Sequence, residues 1–145
     1  MFKAALKACA EAGGRIISIH SKRAPRQVLN ALQEAKHCGT PVLHWFSGPV
    51  DELERAIAMG CWFSVGPAML VGSRGRDLVA RMPRDRVVSE TDGPYADLNG
   101  RPLMPWQVET VPRECAKLWG IREEEAVRQL DGNATALRGL APSMG

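Results

Sequence analysis

The stretch VVSETDGP, residues 87–94, combines a short apolar strand with two carboxylates and an abrupt turn. Val87 and Val88 are β-branched and favour a buried strand, and the Gly-Pro pair that follows ends it. Glu90 and Asp92 lie two residues apart, so their side chains leave the same face of an extended chain. Taken alone, the pattern is more typical of a solvated turn with an Asx-type hydrogen bond than of a functional site. Whether Glu90 and Asp92 form a turn or part of a functional site depends on whether other strands also end in residues that can bind a ligand.

Three more apolar runs precede this stretch, and each is followed by a segment with helical spacing of its apolar residues. The four runs lack polar alternation, as expected for strands that are covered on both faces. Strands that alternate with helices predict a parallel sheet flanked by helices. The predicted strands are residues 15–19, 41–43, 61–65 and 86–88. The predicted helices are residues 1–12, 25–35 and 49–59, a short helix after the glycine-rich loop 72–75, and two or three terminal helices around 108–119, 123–130 and 133–140.

Size, charge and cysteine content restrict the class of protein. The chain has 145 residues, a net charge of +3 and four cysteines without a CxxC pair. Its length suits one domain, here residues 1–145, and its mild charge permits an anionic substrate without requiring one. Scattered cysteines among apolar neighbours predict buried, reduced thiols. Charged residues interrupt the first helix, which argues against a signal peptide or a membrane span and predicts a soluble, cytoplasmic protein.

Three of the four predicted strands end in residues that can bind a metal. His20 and His44 end the first two strands, and Glu90 and Asp92 follow the fourth. Because the carboxyl ends of parallel strands share one edge of a sheet, these side chains are expected to converge. Imidazoles and carboxylates are ligands of hydrolytic metal centres, where Asp92 could also hold the proton of an attacking water. A single histidine after a strand is more often a core or surface residue, but the recurrence in successive units favours a site.

Basic residues follow several of the strands on the same predicted edge. They could hold phosphate groups, although scattered surface charge explains any one of them equally well. These residues are Lys22, Arg23, Arg74, Arg76 and Arg101.

With these residues in place, the chain resembles the TatD family of metal-dependent deoxyribonucleases, within the amidohydrolase superfamily. The resemblance lies in IHS (19–21), LHWFSG (43–48), ETDGPY (90–95) and the Asn133-Ala134 pair of a terminal helix. The segments HWF (44–46) and CWFSV (61–65) are also similar to the TatD-type nuclease of Qat anti-phage defence systems.

The resemblance implies a (β/α)₈ barrel that hydrolyses DNA phosphodiester bonds, often from the 3′ end, with Mg, Mn or Zn. It implies that His20, His44 and Asp92 are metal ligands and that Asp92 and Glu90 are the catalytic carboxylates. It implies a substrate-binding role for Lys22, Arg23 and Ser47. Lys22 stands where many members have arginine, and it keeps the charge but loses the bidentate fork.

The family's first-strand His-x-His and the bridging glutamate of its fourth strand have no counterpart here. A complete barrel needs roughly 250 residues, so the chain is expected to be the C-terminal half of one. Such a half exposes sheet edges and predicts self-association or pairing with a complementing N-terminal half. Two alternatives stay open: a non-catalytic half-barrel remnant or interaction module, and an amide or ester hydrolase of the same superfamily.

Overall fold

A parallel four-stranded sheet lies at the centre of the computed structural model, which describes residues 1–141. The strands are β1 (Arg15–His20), β2 (Gly39–His44), β3 (Trp62–Val65) and β4 (Val87–Ser89), and they lie side by side in chain order. Parallel neighbours in chain order require a crossover helix between each pair. The predicted alternation of parallel strands and helices is therefore confirmed.

Within residues 1–141, six α-helices accompany this sheet, and a small hairpin follows β4. The helices are α1 (Phe2–Glu11), α2 (Pro25–Glu34), α3 (Val50–Ala58), α4 (Ser73–Arg81), α5 (Thr110–Trp119) and α6 (Glu123–Gly139). The hairpin pairs β5 (Asp97–Leu98) with β6 (Arg101–Pro102) in antiparallel fashion. Its strands of two residues are too short to show alternation in the sequence, and the hairpin was not predicted.

The register of the sheet separates a core row from a polar row. Ile19, Leu43, Phe63 and Val87 are in register across the four strands and are all buried in the core. Since successive side chains of a strand point to opposite faces, the next residue of each strand lies on the other face. On β2 that residue is His44. The core row thus directs the strand-end histidine away from the helices.

The C-terminal helix decides between the two and three terminal helices that the sequence left open. Residues 123–139 form one continuous helix, so the segments 123–130 and 133–140 are not separate helices. Asn133 sits in its middle, 3% exposed, and its amide donates to the carbonyl oxygens of Arg84 and Val87. The polar residue that suggested a break is therefore satisfied by a contact with the sheet, and the helix continues.

The glycine-rich segment also differs from the prediction. Helix α4 begins at Ser73, so Gly75 belongs to its first turn and not to a loop. A Cβ on Gly75 would overlap the carbonyl oxygen of Met69, in the short 3₁₀ turn before the helix. Close approach of two backbones, and not loop geometry, accounts for this glycine.

The cysteines are free thiols, as predicted, and three of them are buried. Burial raises the pKa of Cys61 to about 11 and that of Cys115 to about 12, so both thiols stay neutral. Within the part of the chain that the structure describes, no helix has the length and apolar character needed to cross a membrane.

Candidate active site

The histidines that end β1 and β2 lie side by side. His20 is in register with His44, and their rings stack with centroids 4.4 Å apart and an angle of 21° between the ring planes. Ser64, the residue in register with His44 on β3, continues the same row and is also buried. Three neighbouring strands thus bring polar side chains to one edge of the sheet, as expected from the parallel topology.

Glu90 holds His44 from one side. The sheet ends at Ser89, but the Glu90 backbone N–H still donates to the Val65 carbonyl oxygen at 2.9 Å, which fixes this residue against β3. Its Oε2 lies 2.6 Å from Nδ1 of His44, and Ser64 Oγ is 3.5 Å from the same nitrogen. Burial raises the pKa of the Glu90 carboxyl, and the contacts with His44 and Ser64 oppose that rise. A carboxylate that accepts from Nδ1–H leaves the lone pair on Nε2.

Asp92 faces the opposite nitrogen of the same ring. Its Oδ2 lies 3.6 Å from Nε2 of His44, and that nitrogen is buried without a hydrogen-bond partner among the described residues. Asp92 has φ of 54°, so the chain leaves the strand in a left-handed turn, which Ala96 N–H closes by donating to the Asp92 carbonyl oxygen at 2.8 Å. Non-glycine residues rarely adopt this region, and aspartate is one of the few that tolerate it. Glu90 and Asp92 thus flank one imidazole.

This donor set fits one side of a metal site. The unpartnered Nε2 of His44, the carboxylate of Asp92 and the imidazole of His20 are the ligand types that divalent metals use at hydrolytic centres. Among residues 1–141, however, no group of three or more His, Cys, Asp or Glu side chains is placed to hold a metal ion. The chain therefore supplies ligands without closing a coordination shell.

A cavity of about 410 Å³ opens beside these residues. This size lies within the range of about 300–1,000 Å³ that is typical of ligand sites. The residues that line it are His20, Lys22, His44, Trp45, Ser47, Asp92, Tyr95, Ala96 and Asp97. Of the residues predicted for the site, all but two line this cavity: Glu90 contacts His44 instead, and Arg23 is absent from the lining.

Two of the other basic residues, Arg74 and Arg76, have structural partners. The Arg74 guanidinium donates to the carbonyl oxygens of Ser47 and Gly48 at 3.3 Å each, which ties α4 to the turn after β2. Arg76 pairs with Glu114 of α5 at 2.6 Å. Lys22 is therefore the predicted cation that the structure brings to the cavity within residues 1–141.

The sequence interpretation gave no role to several residues at the site. Ser64 interrupts an otherwise apolar strand, and its register with His44 is the signal that could have identified it. Trp45 and Tyr95 each follow a predicted ligand closely in the chain, but aromatic residues after strands are common in cores. Asp97 lies in the unpredicted hairpin, so its approach to the cavity had no signal in the sequence.

We predict that Glu90→Gln lowers the affinity of the chain for Mn²⁺ or Zn²⁺ by about 10–100-fold, the usual cost of losing the carboxylate behind a ligating histidine. The amide keeps the size of the side chain but removes the charge that holds the Nδ1–H tautomer. Isothermal titration measures the change. Glu54→Gln, at an exposed carboxylate of α3, is the matched control. Equal affinities of Glu90→Gln and the wild type would show that Glu90 does not support a ligand.

The sequence of this chain matches a known protein family. The family model described as TatD related DNase matches residues 1–139. The uncharacterized metal-dependent hydrolase YjjV of Escherichia coli K12 is 31% identical over 112 residues, which cover 76% of this chain and 43% of YjjV. The deoxyribonuclease TATDN3 of Homo sapiens is 27% identical over 125 residues, 83% of this chain and 44% of that protein. The 3′-5′ ssDNA/RNA exonuclease TatD of Pantoea vagans is 34% identical over 110 residues, 69% of this chain and 42% of the relative.

The fold comparison agrees with the sequence comparison. The crystal structure of YjjV superimposes with a TM-score of 0.81 at 26% identity, over 91% of this chain and 52% of that structure. The predicted fold class is confirmed: four parallel strands with their helices form part of a TatD-type barrel. The chain spans less than half the length of the three curated relatives named above.

Proposed function

Because this chain belongs to the family of TatD-related DNases, we propose that it contributes one side of a metal-dependent nuclease site that hydrolyses DNA phosphodiester bonds. One observation carries the proposal: His44 is held at Nδ1 by Glu90, while its free Nε2 faces Asp92 inside a cavity. A buried nitrogen without a partner costs free energy unless a ligand satisfies it. A metal ion is the partner that this donor set suits best.

The residues of the cavity have different proposed roles in hydrolysis. His20, His44 and Asp92 would supply part of the ligand set of a divalent cation (Mg, Mn or Zn), and this ion would polarise a phosphoryl oxygen as a Lewis acid. A carboxylate oxygen of Asp92 takes the proton of the attacking water, with Glu90 as the second catalytic carboxylate through its hold on His44. Lys22 offers its charge to a phosphate, and Ser47 offers a hydroxyl at the same cavity. Arg23 is a candidate phosphate contact outside the cavity.

The incomplete ligand set supports a site that is shared with other strands. We infer that the chain corresponds to the C-terminal half of the barrel and that it self-associates or pairs with an N-terminal half. The outer edge of β1 supports this inference. Arg15 N–H donates to the carbonyl oxygen of Cys38, the residue before β2. Since the backbone polar groups of successive residues in a strand point to alternate sides, those of Ile16 and Ser18 face away from β2. An open edge of this kind is a template for another strand.

Two finer features of the proposal rest on resemblance. Cleavage from the 3′ end is supported by the name of the Pantoea relative, a 3′-5′ ssDNA/RNA exonuclease. A role in anti-phage defence is supported by the HWF and CWFSV segments alone. A second candidate function, a non-catalytic half-barrel that serves as an interaction module, is favoured by the absence of a three-ligand cluster within residues 1–141.

We expect single-stranded DNA to be shortened only in the presence of Mn²⁺, Mg²⁺ or Zn²⁺, and only by assembled forms of the chain, because one copy lacks a closed ligand set. The measurement combines size-exclusion fractions, light scattering of each fraction and gel analysis of end-labelled DNA, with a chelator as the control. Shortening that survives the chelator contradicts a metal-dependent site. A stable monomer contradicts the half-barrel inference, and assemblies without hydrolysis favour the non-catalytic candidate.

A further inference from the structure

Tyr95 stands out among the residues that line the cavity. It is 91% exposed, although it lies three residues after Asp92 and forms part of the same cavity wall. An aromatic ring at the wall of a ligand cavity offers a large apolar surface to a bound molecule. The hydrolytic roles proposed above make no use of this ring.

The backbone on both sides of Tyr95 is held in place. Ala96, the next residue, is 5% exposed, and its N–H closes the turn onto the Asp92 carbonyl oxygen. Leu103, fully buried, donates its N–H to the Ala96 carbonyl oxygen at 2.8 Å. A Cβ on Gly93 would overlap the Leu103 carbonyl oxygen, so the two segments touch closely before the turn as well. The backbone that carries the Tyr95 ring is therefore held in place by contacts on both sides of this residue.

Groups of opposite charge line the cavity. The carboxylates of Asp92 and Asp97 repel a phosphate unless a cation intervenes, whereas Lys22 attracts one. A bound nucleotide would therefore place its phosphate near Lys22, and its uncharged base can lie against an aromatic side chain of the lining. Tyr95 and the half-buried Trp45 are the aromatic residues that line the cavity. Every nucleobase has a π-face, so stacking on such a ring is tolerant of sequence.

We propose that Tyr95 is the residue on which the base of the terminal nucleotide stacks when that base is unpaired. The proposal rests on the function proposed above and adds the residue that selects the form of the substrate. In a duplex the faces of the bases are covered by their neighbours, and a ring at a cavity of about 410 Å³ has no base to stack on.

The test is equilibrium binding without turnover. Fluorescence anisotropy of a short, internally labelled oligothymidine is measured in a chelating buffer, with the wild type and with Tyr95→Ala, Tyr95→Phe and Tyr95→Leu. Stacking predicts that Tyr95→Ala weakens binding by about tenfold, which lies within the range for loss of one stacked base. Tyr95→Phe should bind like the wild type, and Tyr95→Leu should resemble Tyr95→Ala. Trp106→Ala is the matched control, because Trp106 is 67% exposed and lies outside the cavity lining.

A second oligonucleotide tests whether Tyr95 contacts the base and not the sugar or the phosphate. An oligothymidine with abasic terminal nucleotides should bind the wild type as weakly as the intact strand binds Tyr95→Ala, and it should be insensitive to the substitution. The proposal is overturned if Tyr95→Ala binds the intact strand as the wild type does, if leucine restores binding, or if a blunt duplex shows the same dependence on Tyr95. A change in the light-scattering mass of Tyr95→Ala without a change in binding would assign the ring to an interface instead.

The outcomes also separate this inference from the proposed function. If the wild type binds the single strand and the Tyr95 variants do not differ from it, only the stacking role is wrong. If the wild type binds single-stranded DNA neither in the chelating buffer nor with Mn²⁺ present, the nucleic-acid substrate of the proposed function is wrong together with the stacking role.

Discussion

His44→Ala is expected to abolish the rise in melting temperature that Mn²⁺ or Zn²⁺ produces in the wild-type chain. A metal present at about 100 times its dissociation constant stabilises a folded protein by about 2.7 kcal/mol. For a chain of this size that corresponds to a rise of about 8 °C. The substitution removes the nitrogen that faces Asp92 and leaves the remaining ligand types too few to replace it. Differential scanning fluorimetry with and without metal measures the shift.

The comparison uses the shift and not the melting temperature itself. Glu90 loses its partner in His44→Ala, so the metal-free variant is expected to melt below the wild type. His37→Asn is the matched control, since His37 is exposed, lies between α2 and β2, and has φ of 63°, which asparagine tolerates. A shift of equal size in His44→Ala would show that the metal binds elsewhere.

Asn133→Ala is expected to lower the free energy of unfolding by about 3 kcal/mol, because each buried polar group left without a partner costs about 1–3 kcal/mol. Its amide nitrogen donates to the carbonyl oxygens of Arg84 at 2.6 Å and Val87 at 2.7 Å, and alanine leaves both without this donor. Val87 begins β4, the strand that carries Glu90 and Asp92 at its other end. Loss of these hydrogen bonds in Asn133→Ala should therefore also reduce the rise in melting temperature that the metal produces.

Urea denaturation measures the change, and Thr135→Ala is the control on the same helix. Thr135 is exposed, and its hydroxyl donates within the helix to the Asp131 carbonyl oxygen. Exposed substitutions of this kind usually stay within about 0.5 kcal/mol. A loss of stability in Asn133→Ala no larger than that of Thr135→Ala would mean that the contact with β4 does not hold the helix.

The main architecture and the histidine pair could be predicted from the sequence because both follow from local pattern and topology. Apolar runs without alternation identified the parallel strands, and a histidine at the end of two of them implied convergence. The stacking of His20 on His44 is the direct result of a register that pairs the last residues of β1 and β2. The sequence pattern is enough to predict a feature when the position of a residue along its strand determines where that residue lies in the sheet.

The contacts that give each site residue its role could not be predicted in this way. Glu90 reaches Nδ1 of His44 only because the chain turns after Ser89 and enters a left-handed conformation at Asp92. Asn133 was predicted to begin a separate helix. Its hydrogen-bond partners lie 46 and 49 positions earlier in the chain, so the local sequence could not show that its amide is satisfied within a longer helix. Both features depend on tertiary contacts that override local propensity. The role of Lys22 and Ser47 in holding substrate stays a prediction.

The register of the sheet has a consequence for how this chain can vary over evolution. Leu43 packs in the core row, and His44, its neighbour, faces the cavity. Insertion or deletion of one residue within β2 would exchange these two faces, placing an imidazole among apolar side chains and a leucine among the ligands. Substitutions at many positions of the strands leave this alternation intact, whereas a change of length does not. We therefore expect natural insertions and deletions to fall in the loops and helices and not within β2.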